Sequence, residues 1–137
     1  MPRYDTNSKF YIDLDYWKSQ GRDFRPLLYD ELCDECKRLY PLDQYREVDR
    51  VDPATGEVLR WDALWECATD QCGHQPDFIN PRMPLTRSIM RALIANGNQP
   101  MSAAQLYKRI GKGNPAAILK ELLSPRMESD GITPVEK

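Results

Sequence analysis

The sequence predicts an α+β fold, with a β-rich half carrying four cysteines followed by a half built from three helices. Three observations lead there. The cysteines fall in two close pairs, Cys33/Cys36 and Cys67/Cys72. The region around them holds alternating and glycine-punctuated β-prone runs. After it, apolar residues recur at helical spacing between residues suited to cap helices.

Charge divides the chain at the same place. Residues 1–80 hold ten Lys and Arg against seventeen Asp and Glu, a net −7, while residues 81–137 hold nine against four, a net +5. Pro76, Pro81 and Pro84 lie at the boundary. Each removes a backbone donor and turns its predecessor away from helix, which predicts an extended linker. The expectation is two modules, a zinc-binding one over 1–80 and a helical one over 81–137, with different partners.

In the first module, Phe10, Ile12, Leu14 and Tyr16 alternate with Tyr11, Asp13 and Asp15, a strand pattern. A short helix from Asp13 to Gln20, stopped at Gly21, competes for the same residues. Val48 and Val51 precede Asp52-Pro53-Ala54-Thr55-Gly56, and Glu57 to Trp61 follow, which reads as a hairpin. The aromatic residues Phe10, Tyr11, Tyr16, Trp17, Trp61 and Trp65 are read as core, because a nucleic-acid strand would be repelled by the acidic half.

In the second module, Leu85, Ile89, Leu93 and Ile94 share a helix face that stops near Gly97. Ser102 and Gln105 form a capping box for a helix that carries Ala103, Leu106, Tyr107 and Ile110 and ends at Gly111. Asn114 as N-cap and Pro115 behind it open a third helix, with Ile118, Leu119, Leu122 and Leu123 as its apolar stripe. Asp130-Gly131 between two β-compatible runs predicts a closing hairpin.

The cysteines carry the clearest chemistry. Zinc accepts four thiolate or imidazole ligands in a tetrahedron, and two spaced pairs supply them. The expected ligands are Cys33, Cys36, Cys67 and Cys72, around a structural zinc ion. His74, the single histidine, is the alternative fourth ligand. Free buried thiols and a disulfide are the other readings, and thiolate sets also suit iron. Such a site stabilises a small module with few aliphatic core positions. Cys33-x2-Cys36 followed by Tyr40-Pro41 resembles the first knuckle of zinc ribbons and rubredoxin-like folds, over roughly residues 30–75. Lys37 stands where that superfamily usually has glycine, and the second pair is wider than C-x2-C.

The order of three helices and a glycine-turn hairpin, from Ser102 to Leu123 and on through Asp130-Gly131-Ile132, resembles the winged helix-turn-helix superfamily. The resemblance implies a recognition helix over Asn114–Ser124 and a wing near Gly131. The basic residues expected to meet duplex DNA are Lys108, Arg109, Lys112, Lys120 and Arg126, with Asn114 at a helix N-terminus that favours an anion. Arg87 and Arg91 extend that patch.

No catalytic constellation assembles around one histidine, so an enzyme is not expected. No apolar run is long enough to cross a bilayer. Met1 to Asn7 lack an apolar leader core, so the chain is expected in the cytoplasm with its thiols reduced. The expected function is a zinc-containing winged-helix DNA-binding protein, a transcriptional regulator. The alternative is a protein adaptor without DNA binding. The acidic half is expected to meet a protein partner or a second copy.

Overall fold

The computed structural model describes residues 3–135; Met1 and Pro2 of the leader reading lie outside the described residues. The chain is mixed α+β. It runs through β1 (Lys9–Ile12), α1 (Leu14–Ser19), α2 (Arg25–Asp30), α3 (Asp34–Leu39), β2 (Glu47–Val51), β3 (Val58–Asp62) and α4 (Ala63–Asp70). A 3-10 turn (Cys72–His74) follows, then α5 (Leu85–Ala95), β4 (Met101–Ser102), α6 (Ala103–Ile110), α7 (Pro115–Leu122), α8 (Pro125–Ser129) and β5 (Ile132–Pro134).

Both readings of residues 10–20 hold, in succession. The strand ends at Ile12, and Asp13 caps α1 by accepting the Tyr16 amide at 3.1 Å. The hairpin is present, with Val48 facing Trp61 and Val51 facing Val58. In the second half the capping box closes both ways, since Ser102 Oγ accepts the Gln105 amide and Gln105 accepts the Ser102 amide. Gly111 ends α6 at φ 70°, a left-handed conformation that glycine adopts without penalty. Asn114 caps α7, with Pro115 in its first turn.

The closing hairpin is not formed. Ser124 caps a further helix, α8, which Pro125 opens and which buries Met127. Gly131 serves a close approach rather than a hairpin turn. A Cβ there would lie 2.7 Å from the Trp17 ring, and φ is +84°. Trp17 donates from Nε1 to the Asp130 carbonyl at 2.7 Å. The strand after it, β5, pairs with β1 from the other end of the chain. The sheet order is β4-β1-β5, antiparallel throughout, so the N-terminal strand is its centre.

Phe10 and Ile12 of β1 are fully buried in one hydrophobic cluster with Leu28, Cys36, Cys67, Leu93, Leu106, Ile118 and Met127. That cluster draws on both sides of the proline-rich stretch. The stretch itself is irregular but packed. Phe78 and Met83 are buried, and Arg91 donates to the Phe78 carbonyl at 2.7 Å while its guanidinium lies over the Phe78 ring.

Arg87 and Arg91 also fix α5 to the end of α2. Both reach the Glu31 carboxylate, at 2.9 and 3.4 Å, and only 11% of that side chain is exposed. Burial pushes the Glu31 carboxyl up, but hydrogen bonds and charge from the two guanidiniums outweigh it, so its pKa is lowered overall from 4.5. A carboxylate favoured in the folded state stabilises the protein above its unfolded pKa, and the gain disappears as pH falls through the folded one. Glu31→Gln is therefore expected to lower the urea midpoint at pH 7 and to flatten its decline below pH 4.5. An unchanged acid limb in the variant would show that Glu31 carries none of it.

Candidate metal centre

The cysteines come from helices, not β knuckles. Cys33 is the N-cap of α3, at φ −69° and ψ 162°, and Cys36 sits one turn inside that helix. Asp34 and Glu35 in the first turn and Lys37 and Arg38 in the last match the helix dipole. Cys67 lies in α4, which Asp62 caps by accepting the Leu64 amide at 2.9 Å. Arg25 holds Asp62 from the other side, with Nε 2.6 Å from the carboxylate. Cys72 begins the 3-10 turn. The β2–β3 hairpin brings no cysteine, so the β-ribbon geometry expected around the site is replaced by two helices and a turn.

These elements bring the thiols together. The Sγ atoms of Cys33, Cys36 and Cys72 all lie within 4.8 Å of one another. Cys33 and Cys72 approach to 3.2 Å between sulphurs, and the Cys33 amide donates to Cys72 Sγ at 3.1 Å. Cys67 is joined to Cys36 as a disulfide, with Cα atoms 6.0 Å apart. Cys36 and Cys72 are fully buried, Cys67 is 4% exposed, and Cys33 is partly buried. Thiolates about 2.3 Å from a tetrahedral zinc stand about 3.8 Å apart, a spacing of the same order as that of the three grouped sulphurs. Cys33, Cys36 and Cys72 lie close enough together to bind a metal, Cys36 once freed from its bond to Cys67.

Burial pushes the Cys72 thiol up to about 11, against a weaker opposing effect of the Cys33 amide. Without a cation beside it, this sulphur is a neutral thiol at pH 7. His74, the alternative fourth ligand, is exposed and lies outside this group of three sulphurs.

Gly73 explains how the turn reaches its place. A Cβ there would lie 2.8 Å from Ala95 Cβ and 3.0 Å from Ala95 Cα, so only glycine lets the turn rest on α5. Arg109 completes the attachment by donating from Nη2 to the Gly73 carbonyl at 2.7 Å. The turn is thus pinned between α5 and α6.

Arg109 is one of the residues expected to face DNA; it is exposed, and one of its nitrogens, Nη2, is committed here. Lys112 is committed as well, donating to the carbonyls of Pro81 at 3.1 Å and Met83 at 2.7 Å. Asn114 uses its side chain on the Ala117 amide at 2.8 Å. Arg87 and Arg91 face Glu31. Lys108, Lys120 and Arg126 are exposed, and no ion pair engages them among the described residues.

The class defined here is a small α+β protein with a buried cysteine cluster at the meeting of α3, α4 and α5. No protein-family model, curated protein or solved structure matches the chain. No helix among the described residues is long and apolar enough to cross a membrane.

Proposed function

We propose that the chain is a zinc-stapled binding protein that contacts duplex DNA through α6, α7 and the start of α8. The observation that carries the metal part is the convergence of Cys33, Cys36 and Cys72. Cys67 is the fourth ligand, released for zinc when its bond to Cys36 is reduced. The ion would be structural, because four thiolates leave no position for water or substrate. Zinc would supply the positive charge that lets buried sulphurs such as Cys72 ionise, and would tie α3 and α4 to the turn beneath α5.

The DNA part rests on a helix pair whose capping residues fix α7 after a glycine turn, with Lys108, Lys120 and Arg126 free to meet phosphates. Arg109, Lys112 and Asn114 then act by holding this face in shape. The test is fluorescence anisotropy of the zinc-loaded chain on random duplex DNA over a salt series. Charge-reversing Lys108, Lys120 and Arg126 together is expected to abolish binding, and the wild-type affinity is expected to fall steeply with salt, with a log–log slope of roughly −2 to −3 for that many phosphate contacts. Wild-type affinity that ignores salt would exclude this reading.

One observation favours an adaptor instead. The β2–β3 hairpin leaves Val51, Val58 and Leu59 at 59%, 64% and 44% exposure. A protein partner recovered at high salt through that hairpin, with no DNA binding, would establish the adaptor.

A further inference from the structure

Away from the cysteines, a cleft of about 740 Å³ opens between α1, the start of α2, β3 and the start of α4. We propose that it binds a mononucleotide, with the base stacked on Tyr45 or Trp61 and the phosphate on Lys18 and Arg22. The volume lies within the range of small-ligand pockets, roughly 300–1,000 Å³. The proposal is independent of both the metal centre and the DNA face.

The first argument is the aromatic wall. Phe24 and Trp65 are almost fully buried and stack at 5.7 Å with planes 12° apart. Trp61 meets the edge of Trp65 at 6.1 Å and remains only partly buried at the cleft. Tyr45 is 59% exposed. Arg50 lies over one side of the Trp61 ring at 4.3 Å and Arg25 over one side of Tyr45 at 5.2 Å, so a planar ring would stack on the remaining side of either.

The second argument is charge. Lys18, Arg22, Arg25 and Arg60 line the cleft against two carboxylates, Asp23 and Asp62. Asp62 is paired within the fold, whereas Asp23 is exposed and makes no ion pair among the described residues. Asp62 accepts from Arg25 Nε and the Leu64 amide, and Asp23 accepts the Arg25 amide at 3.0 Å. Lys18 makes no ion pair among the described residues. Arg22 spends Nη2 on the Ser129 carbonyl at 2.7 Å and lays its plane over Trp17, which orients the rest of the guanidinium. An anion therefore finds two cations, Lys18 and Arg22, against one exposed carboxylate, Asp23.

The third argument is unmet hydrogen bonding. Arg25 Nη2 and Trp61 Nε1 are buried donors without acceptors. Both belong to cleft-lining residues. They are closed off in this conformation, and the Tyr45 ring sits over the Arg25 guanidinium at 5.2 Å. A swing of this exposed ring as the base enters would offer Arg25 Nη2 to a ligand oxygen.

The test is titration of the full chain with AMP, adenosine and inorganic phosphate, read by the indole N–H resonances of the tryptophans. AMP is expected to shift the Trp61 indole saturably, while adenosine and phosphate alone each bind at least ~10-fold more weakly. Lys18→Glu and Tyr45→Ala alter exposed side chains, so folding should survive. Each is expected to weaken AMP about tenfold with an unchanged melting temperature. An unmoved Trp61 resonance at roughly 10 mM AMP, far above ordinary affinities, would overturn the proposal, as would unaltered AMP affinity in both variants.

Discussion

For the zinc site proposed above, removing the metal from the reduced protein is expected to unfold it, not merely to loosen one segment. The four cysteines join α3, α4 and the 3-10 turn, and Cys36 and Cys67 belong to the same buried cluster as Phe10, Leu93 and Ile118. Loss of the ion would leave several sulphurs in an apolar interior without the charge that held them as thiolates. Structural zinc contributes on the order of 10 kcal/mol of apparent binding energy, comparable to the whole stability of a domain this size. A chelator under reducing conditions should therefore collapse the near-ultraviolet circular dichroism and abolish the thermal transition. Cys36→Ser should do the same without chelator. Metal analysis should find one zinc per chain. A reduced, metal-free protein that keeps a cooperative melt near the untreated one would overturn the assignment. It would show that the fold needs neither a metal nor the Cys36–Cys67 disulfide as a staple.

The second large effect concerns the N-terminal strand. Residues 81–137, expressed alone, are expected not to fold. Three helices with good caps give this fragment local order, but its sheet needs β1. β4 and β5 do not pair with each other; each bonds to β1 from opposite sides. Removing β1 strips the backbone partners from both and takes Phe10 and Ile12, both fully buried, out of the cluster. In the intact chain, Phe10→Ala alone should cost about 3–5 kcal/mol, the usual range for a buried aromatic, visible as a fall in the urea midpoint. A fragment with dispersed amide resonances and a cooperative transition would show that β1 is dispensable.

Local chemistry was legible and long-range pairing was not. Ser102 with Gln105, Gly111, and Asn114 with Pro115 announce their helix ends, because capping depends on residues three or four apart. The hairpin from Glu47 to Asp62 declares itself for the same reason. The short helices α2 and α3 are only six residues each, too brief for a 3.6-residue period to show. Their signals were subtler: Pro26 in the first turn of α2, and acidic then basic residues along α3. The wing was misread because Asp-Gly suits a turn, whereas the reason for Gly131 is the ring of Trp17, far away in sequence. Cysteine spacing announced the cluster, but not that helices would deliver it. Nor can residue type tell whether Lys112 meets a phosphate or a carbonyl. The fold decides that, and here it chose Pro81 and Met83.

The place of β1 also bears on how the chain is made. Phe10 and Ile12 leave the ribosome at least 120 residues ahead of their partners Pro134 and Ile132. Until Met101 and Ser102 of β4 emerge, β1 has neither of its strand partners, and an apolar strand with open edges seeks wrong ones. Contacts this distant along the chain also slow folding after release. Overexpression at high temperature should therefore increase the share of the protein in inclusion bodies.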